Sequence, residues 1–226
     1  MSPLQNAGLY QIVNSKGKLK KSVYQNTLES LNLIKKTIGE MLEDYRREFA
    51  KDPEAIPFVV KDMGEFEIHL QFAGDVLIFN MHTNVFEFSR YHDVMSTSYI
   101  REDKARSYCG IINIYNFLAD SFKYDRANDI GYLIGRIFIN KDKSYFIEGK
   151  REVGLLYNNF GQEKLDETAV RKVVESAVLY TINFDLLTPP FDSVKEISLS
   201  EMKSIAGSQT LKTGKRLGFK FQADRD

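Results

Sequence analysis

Residues 64–90 read GEFEIHLQFAGDVLIFNMHTNVFEFSR, and their alternation decides the fold class. Phe66, Ile68, Leu70 and Phe72 alternate with Glu65, Glu67, His69 and Gln71. This is the period-two pattern of a strand with one buried face. Gly74-Asp75 suits a two-residue type II′ turn, because glycine accepts positive φ at the first central position. That turn sets Phe72 opposite Leu77, Leu70 opposite Phe79 and Ile68 opposite Met81. Thr83-Asn84 reads as a second turn, which sets Met81 opposite Phe86 and Phe79 opposite Phe88. Both turns sort the side chains alike: one face is apolar, and the other carries Glu67, His69, Asn80, His82 and Glu87. A slip of one residue would invert every side chain, so the agreement between turns and pattern argues for a three-stranded meander.

Outward from this stretch, the N-terminal side reads as a short edge strand over Leu9–Val13, a basic turn over Lys16–Lys21 and a long helix over Val23–Ala50. The helix has apolar residues at Tyr24, Leu28, Leu31, Ile34, Ile38, Met41, Leu42, Tyr45 and Phe49, spaced by three and four. Asp52-Pro53 ends it. Its stripe would pack on the apolar face of the meander; any length overhanging the sheet would suit pairing with a second copy.

On the C-terminal side, residues 91–106 are polar and aperiodic, as functional loops often are. Tyr108–Leu118 and Ile130–Ile139 are apolar on both parities, as central strands are. Asn140–Lys143 turns the second into Ser144–Glu148. Asp166 caps a helix over Glu167–Leu186, which Pro189-Pro190 stops. Ser198 and Glu201 form a capping box for a short helix closing at Gly207. Leu217, Phe219 and Phe221 alternate as a last edge strand. The expected fold is α+β: a largely antiparallel sheet of about six strands, with a long N-terminal helix and a C-terminal helix packed on it. Residues 1–226 read as one domain, with 191–226 as a candidate small appendage.

Composition narrows the function classes. The chain has 226 residues, with Lys+Arg and Asp+Glu at 31 each. That balance disfavours a strongly basic nucleic-acid binder. Cys109 is the only cysteine, so no intrachain disulfide forms and a reducing compartment fits. The start carries no signal-peptide pattern and no stretch is long and apolar enough for a bilayer span. Cytoplasm is the expected location.

Glu67, His69 and His82, on one sheet face, have the donor types of an open divalent-metal site, and Asn80 and Glu87 extend the face as a polar binding surface. An ordinary wet sheet face, the polar half of the alternation, explains the same residues without a ligand. The loop residues Tyr91, His92, Tyr99, Arg101 and Arg106 are the types that anchor interfaces. Cys109 lies in an apolar strand, the setting of an inert thiol. Residues 207–215 resemble a phosphate loop only superficially: the glycine spacing is wrong and Arg216 stands where Ser or Thr belongs. Lysines gather near both ends, at 16, 18, 20 and 21 and at 212, 215 and 220 with Arg216, the pattern of solvated termini. With no catalytic signature, the expectation is a binding or interaction module that takes a protein partner or associates with itself. The alternative is a small metal-dependent or hydrolytic enzyme using the polar face of 64–90.

Overall fold

A computed structural model describes residues 3–149, 160–185 and 188–208. Six strands form one antiparallel sheet in sequence order. They are β1 (Val59–Asp62), β2 (Glu67–Phe72), β3 (Asp75–Glu87), β4 (Tyr108–Leu118), β5 (Tyr132–Asn140) and β6 (Tyr145–Gly149). Helix α1 (Pro3–Glu48) crosses one face, with α4 (Glu167–Ile182) beside it. Three short helices complete the described chain: α2 (Ser98–Glu102), α3 (Ala119–Lys123) and α5 (Phe191–Val194), with α6 (Leu199–Ser208) last. The α+β class, the six-stranded sheet and its two packed helices are as the sequence predicts.

The core lies between the sheet and the two helices. Leu70, Phe72, Leu77, Phe79, Ile112, Ile114, Ile137 and Ile139 meet Leu31, Ile34 and Ile38 of α1 and Val170, Val173, Val174 and Ala177 of α4. Each such aliphatic or aromatic side chain contributes roughly 1.5–3 kcal/mol on leaving water. At Gly110 the strand and helix come closest: a Cβ there would stand 2.0 Å from Thr27 Oγ1.

Several local expectations are corrected. Leu9–Val13 is not an edge strand and Lys16–Lys21 is not a turn, because α1 runs through both. Positions 9, 13, 16, 20, 23, 27, 31, 34 and 38 step by three and four, and that longer period overrides the short apolar run. The first hairpin turns at Ala73-Gly74 instead of Gly74-Asp75, with Ala73 at φ 46°. Its pairs are therefore Phe72 with Asp75, Leu70 with Leu77 and Ile68 with Phe79. The register moves by two residues, so each of these side chains keeps its face.

No turn forms at Thr83-Asn84: β3 continues to Glu87 and pairs with the eleven-residue β4. A full-length partner strand offers more ladder bonds than a third short meander strand would. The pairing is irregular between His82 and Phe86. Beyond that point Phe86 pairs with Cys109 and shares its face, and Phe88 packs with Phe138 and Phe160. Neither lies on the helix-covered face that the sequence assigned to them. The polar loop is also more regular than expected, with 3₁₀ turns over Asp93–Ser96 and Lys104–Ser107 flanking α2.

Asp166 caps α4 as expected, its Oδ1 accepting from the Ala169 amide at 2.8 Å, and the helix ends at Ile182. The Ser198–Glu201 capping box forms reciprocally, at 3.1 and 2.9 Å. Helix α6 runs through Gly207 to Ser208. The expected strand over 217–221 and the C-terminal basic residues lie outside the described residues. Among the described residues no helix is long and apolar enough to cross a membrane.

Candidate functional site

The strand register builds a polar row on the face away from α1 and α4. Glu67 pairs with Asn80, Asn80 with Asn113, Asn113 with Arg136, and Arg136 with Glu148. The five half-buried residues cross β2 to β6 in a line, because cross-strand partners project to the same side. Two ends of the row are locked. Glu67 Oε1 lies 2.7 Å from His69 Nε2, and its Oε2 accepts from Asn80 Nδ2 at 2.7 Å. At the other end Arg136 Nε donates to Glu148 Oε2 at 2.8 Å.

The middle of the row differs. Among the described residues, the Asn113 carboxamide and the Tyr115 hydroxyl make no hydrogen bond, although both residues are half-buried. A carboxamide can donate twice and accept, and a phenol can do either. Tyr115 belongs to the next row, which runs His69, Ile78, Tyr115, Leu133. The row on the other side runs His82, Ile111, Phe138, Phe146. Asn113 thus sits between the Tyr115 row on one side and the row of Ile111, Phe138 and Phe146 on the other.

The predicted face residues separate. Glu67, His69 and Asn80 come together. His82 lies beyond them, where Nδ1 accepts from the Asn84 amide at 3.0 Å and the ring meets Phe86. Glu87 lies on the opposite face of the sheet, because it pairs with Tyr108; its Oε2 accepts from the Tyr108 hydroxyl at 2.6 Å. Among the described residues no cluster of three or more His, Cys, Asp or Glu has metal-holding geometry. His69 is 8% exposed, and both oxygens of Glu67 are engaged.

The predicted loop residues build a lid over the far end of the same face. Tyr99 donates to Asp142 Oδ2 at 3.0 Å and accepts from Asn140 Nδ2 at 2.9 Å. Arg106 stacks on the Tyr99 ring, 4.3 Å from its centre, and its Nε donates to Asp142 at 3.1 Å. Burial raises the Tyr99 phenol above its ordinary pKa. Asn140 is fully buried, and its backbone carbonyl accepts from Asn26 of α1 at 3.0 Å. Arg101 bonds the Ser96 carbonyl at 3.0 Å. His92 caps the first 3₁₀ turn, with Nδ1 accepting from Val94 at 3.3 Å, and its ring rests on Phe88. Of the five, Tyr91 stands out in solvent at 95% exposed. Beneath the lid a second small core gathers Val94, Ile100, Cys109, Phe138 and Phe160. Burial pushes the Cys109 thiol far above its ordinary pKa, so it stays protonated and unreactive.

Sequence reasoning missed Asn113, Tyr115, Arg136 and Glu148. The first three sit in strands read as apolar on both parities, and Glu148 in the strand read over Ser144–Glu148, to which no role was given. The signal was the register across four strands, which no local pattern supplies. No family model matches this chain, and no curated protein or solved structure does either.

Proposed function

We propose that this chain is a binding module, without chemistry of its own, that contacts its partner with the polar row and with Tyr115 beside it. The observation that carries this reading is the pair of half-buried polar side chains on the central strand, Asn113 and Tyr115, that make no hydrogen bond to another described residue. Polar groups that the fold leaves unbonded can give directional hydrogen bonds to a partner surface. The enzyme alternative is weaker: Glu67 and His69 are bound to each other and to Asn80, and His69 is nearly inaccessible. The buried lone thiol suits a reducing compartment, which supports a cytoplasmic location.

The test is photocrosslinking from the face itself. A photoreactive phenylalanine analogue replaces Tyr115, and in a control chain it replaces Glu40, an exposed residue of α1. In extract of the cells that make the protein, position 115 is expected to give a discrete adduct that unlabelled protein competes away. Identical adducts from both positions, or none from 115, would refute the module.

A further inference from the structure

The stripe by which α1 packs on the sheet does not stop where the sheet stops. Val23, Leu31, Ile34 and Ile38 are fully buried. Stepping back by threes and fours, the same stripe passes Lys20 and Lys16. The Lys16 ammonium lies over the Tyr108 ring, 4.0 Å from its centre, at the first residue of β4. Beyond this polar edge the stripe becomes apolar again at Val13 and Leu9, with Ile12 beside them. Leu9 is 54% exposed, Tyr10 67%, Ile12 66% and Val13 61%. Every residue from Gly8 to Lys18 is exposed. Residues 3–15 therefore project past the sheet by about 20 Å, at 1.5 Å per residue.

This projection is a poor helix by itself. Gly8 within it, and Gly17 just past its base, each cost about 1 kcal/mol relative to alanine, and isolated helices of this length are marginal in water. Its apolar stripe needs a cover. We propose that the cover is the same projection from a second copy of this chain, packed antiparallel about a two-fold axis. This rests on the interaction-module reading but uses a different surface from the polar row.

Three observations favour a second copy. The first is geometry: the stripe faces the side on which its own sheet lies. A flat bilayer approaching that stripe meets the end of the sheet at Glu87 and Tyr108. A second projecting helix fits into the corner, and its sheet falls on the opposite side of the pair. The second is charge. No acidic residue precedes Glu29, and Lys16, Lys18, Lys20 and Lys21 lie just past the apolar window. Parallel pairing would align the four lysines with their own copies. Antiparallel pairing centred on the window sets Lys16 and Lys18 beside the uncharged positions 6 and 4. The third is area: Leu9, Tyr10, Ile12 and Val13 on two copies would bury on the order of 1,000 Å², the lower bound of a specific interface. A two-fold pairing makes each patch its own complement.

Sedimentation equilibrium of the full chain at micromolar concentration is expected to give twice the chain mass. The Leu9→Glu/Ile12→Glu double variant should be monomeric at the same concentration, a loss of at least 100-fold in association. Gln11→Glu, on the opposite side of the helix, should leave the dimer intact, and circular dichroism should show all three chains folded. A wild type that is monomeric throughout, or a double variant that remains dimeric, would overturn the proposal. So would a monomer that sediments with phosphatidylserine vesicles, which would assign the stripe to a membrane surface. An Asn113→Arg change should leave the mass unaltered, so failure of the dimer and failure of the polar-row reading are separable.

Discussion

The two faces of the sheet are built to opposite rules, and β4 changes between them from one residue to the next. Ile112 and Ile114 point toward α1 and α4 and are fully buried. Asn113 and Tyr115 point away, half-buried and without hydrogen bonds among the described residues. On the helix side the centre of the sheet is apolar and packed, and the polar pairs Asn116–Asp75 and Tyr108–Glu87 stand toward its ends. On the other side one end is packed under the lid around Phe138, Phe160 and Cys109, the opposite end has Phe122 of α3 against His69 and Phe117, and the half-buried middle carries Asn113 and Tyr115. A fold needs one well-filled face. Polar groups on the second face that no other described residue bonds are candidates for contact with something else.

The largest way to disturb the packed side is to push α1 off β4. Gly110→Ala places a Cβ within 2.0 Å of Thr27 Oγ1. The expected loss is ~1–3 kcal/mol in urea unfolding, and adding Thr27→Ala should recover part of it. No loss would mean that α1 does not lie as close to the sheet as the packed face requires.

The smallest effect is at the lid. The Lys141 ammonium hydrogen-bonds Asp103 and holds its carboxyl below the ordinary carboxylate range. A depressed folded-state pKa contributes stability that is present above the unfolded value and is lost as pH falls through the folded one. Asp103→Asn should therefore lower stability at neutral pH by a few tenths of a kcal/mol, as for exposed pairs. The difference should vanish in acid. A difference that persists in acid would place the lid's stability elsewhere.

How much of this was legible in the sequence follows the same division. Alternation in Phe66–Phe72 and in Val76–Met81 assigns each side chain to a face even when the turn is misplaced, because a two-residue shift preserves parity. The helix over Val23–Glu48 was legible from its period. The extension of α1 over Leu9–Lys21 was not, since four apolar residues in five satisfy strand and helix alike. The path of β3 past Thr83 was not legible either: whether a chain turns or continues depends on a partner strand some thirty residues away. Of the site, Glu67, His69 and Asn80 were found because alternation exposed them. Asn113, Arg136 and Glu148 join them only through the pairing of β3 to β6. Glu87 was misplaced because the expected turn at Thr83-Asn84 does not form: in the continuous β3 it falls on the face of Leu77, Phe79 and Met81.

One pair of substitutions addresses the difference between the faces directly. Ile112→Thr and Asn113→Thr put the same residue at adjacent positions of one strand, pointing opposite ways. Thermal unfolding should show Ile112→Thr melting well below the wild type, by roughly 5–15 °C, from a buried hydroxyl and lost packing. Asn113→Thr should melt at or slightly above the wild type, because a good strand former replaces a poor one whose amide the fold does not use. If Asn113→Thr falls as far as Ile112→Thr, the polar row is holding the fold together, and its reading as a contact surface is wrong.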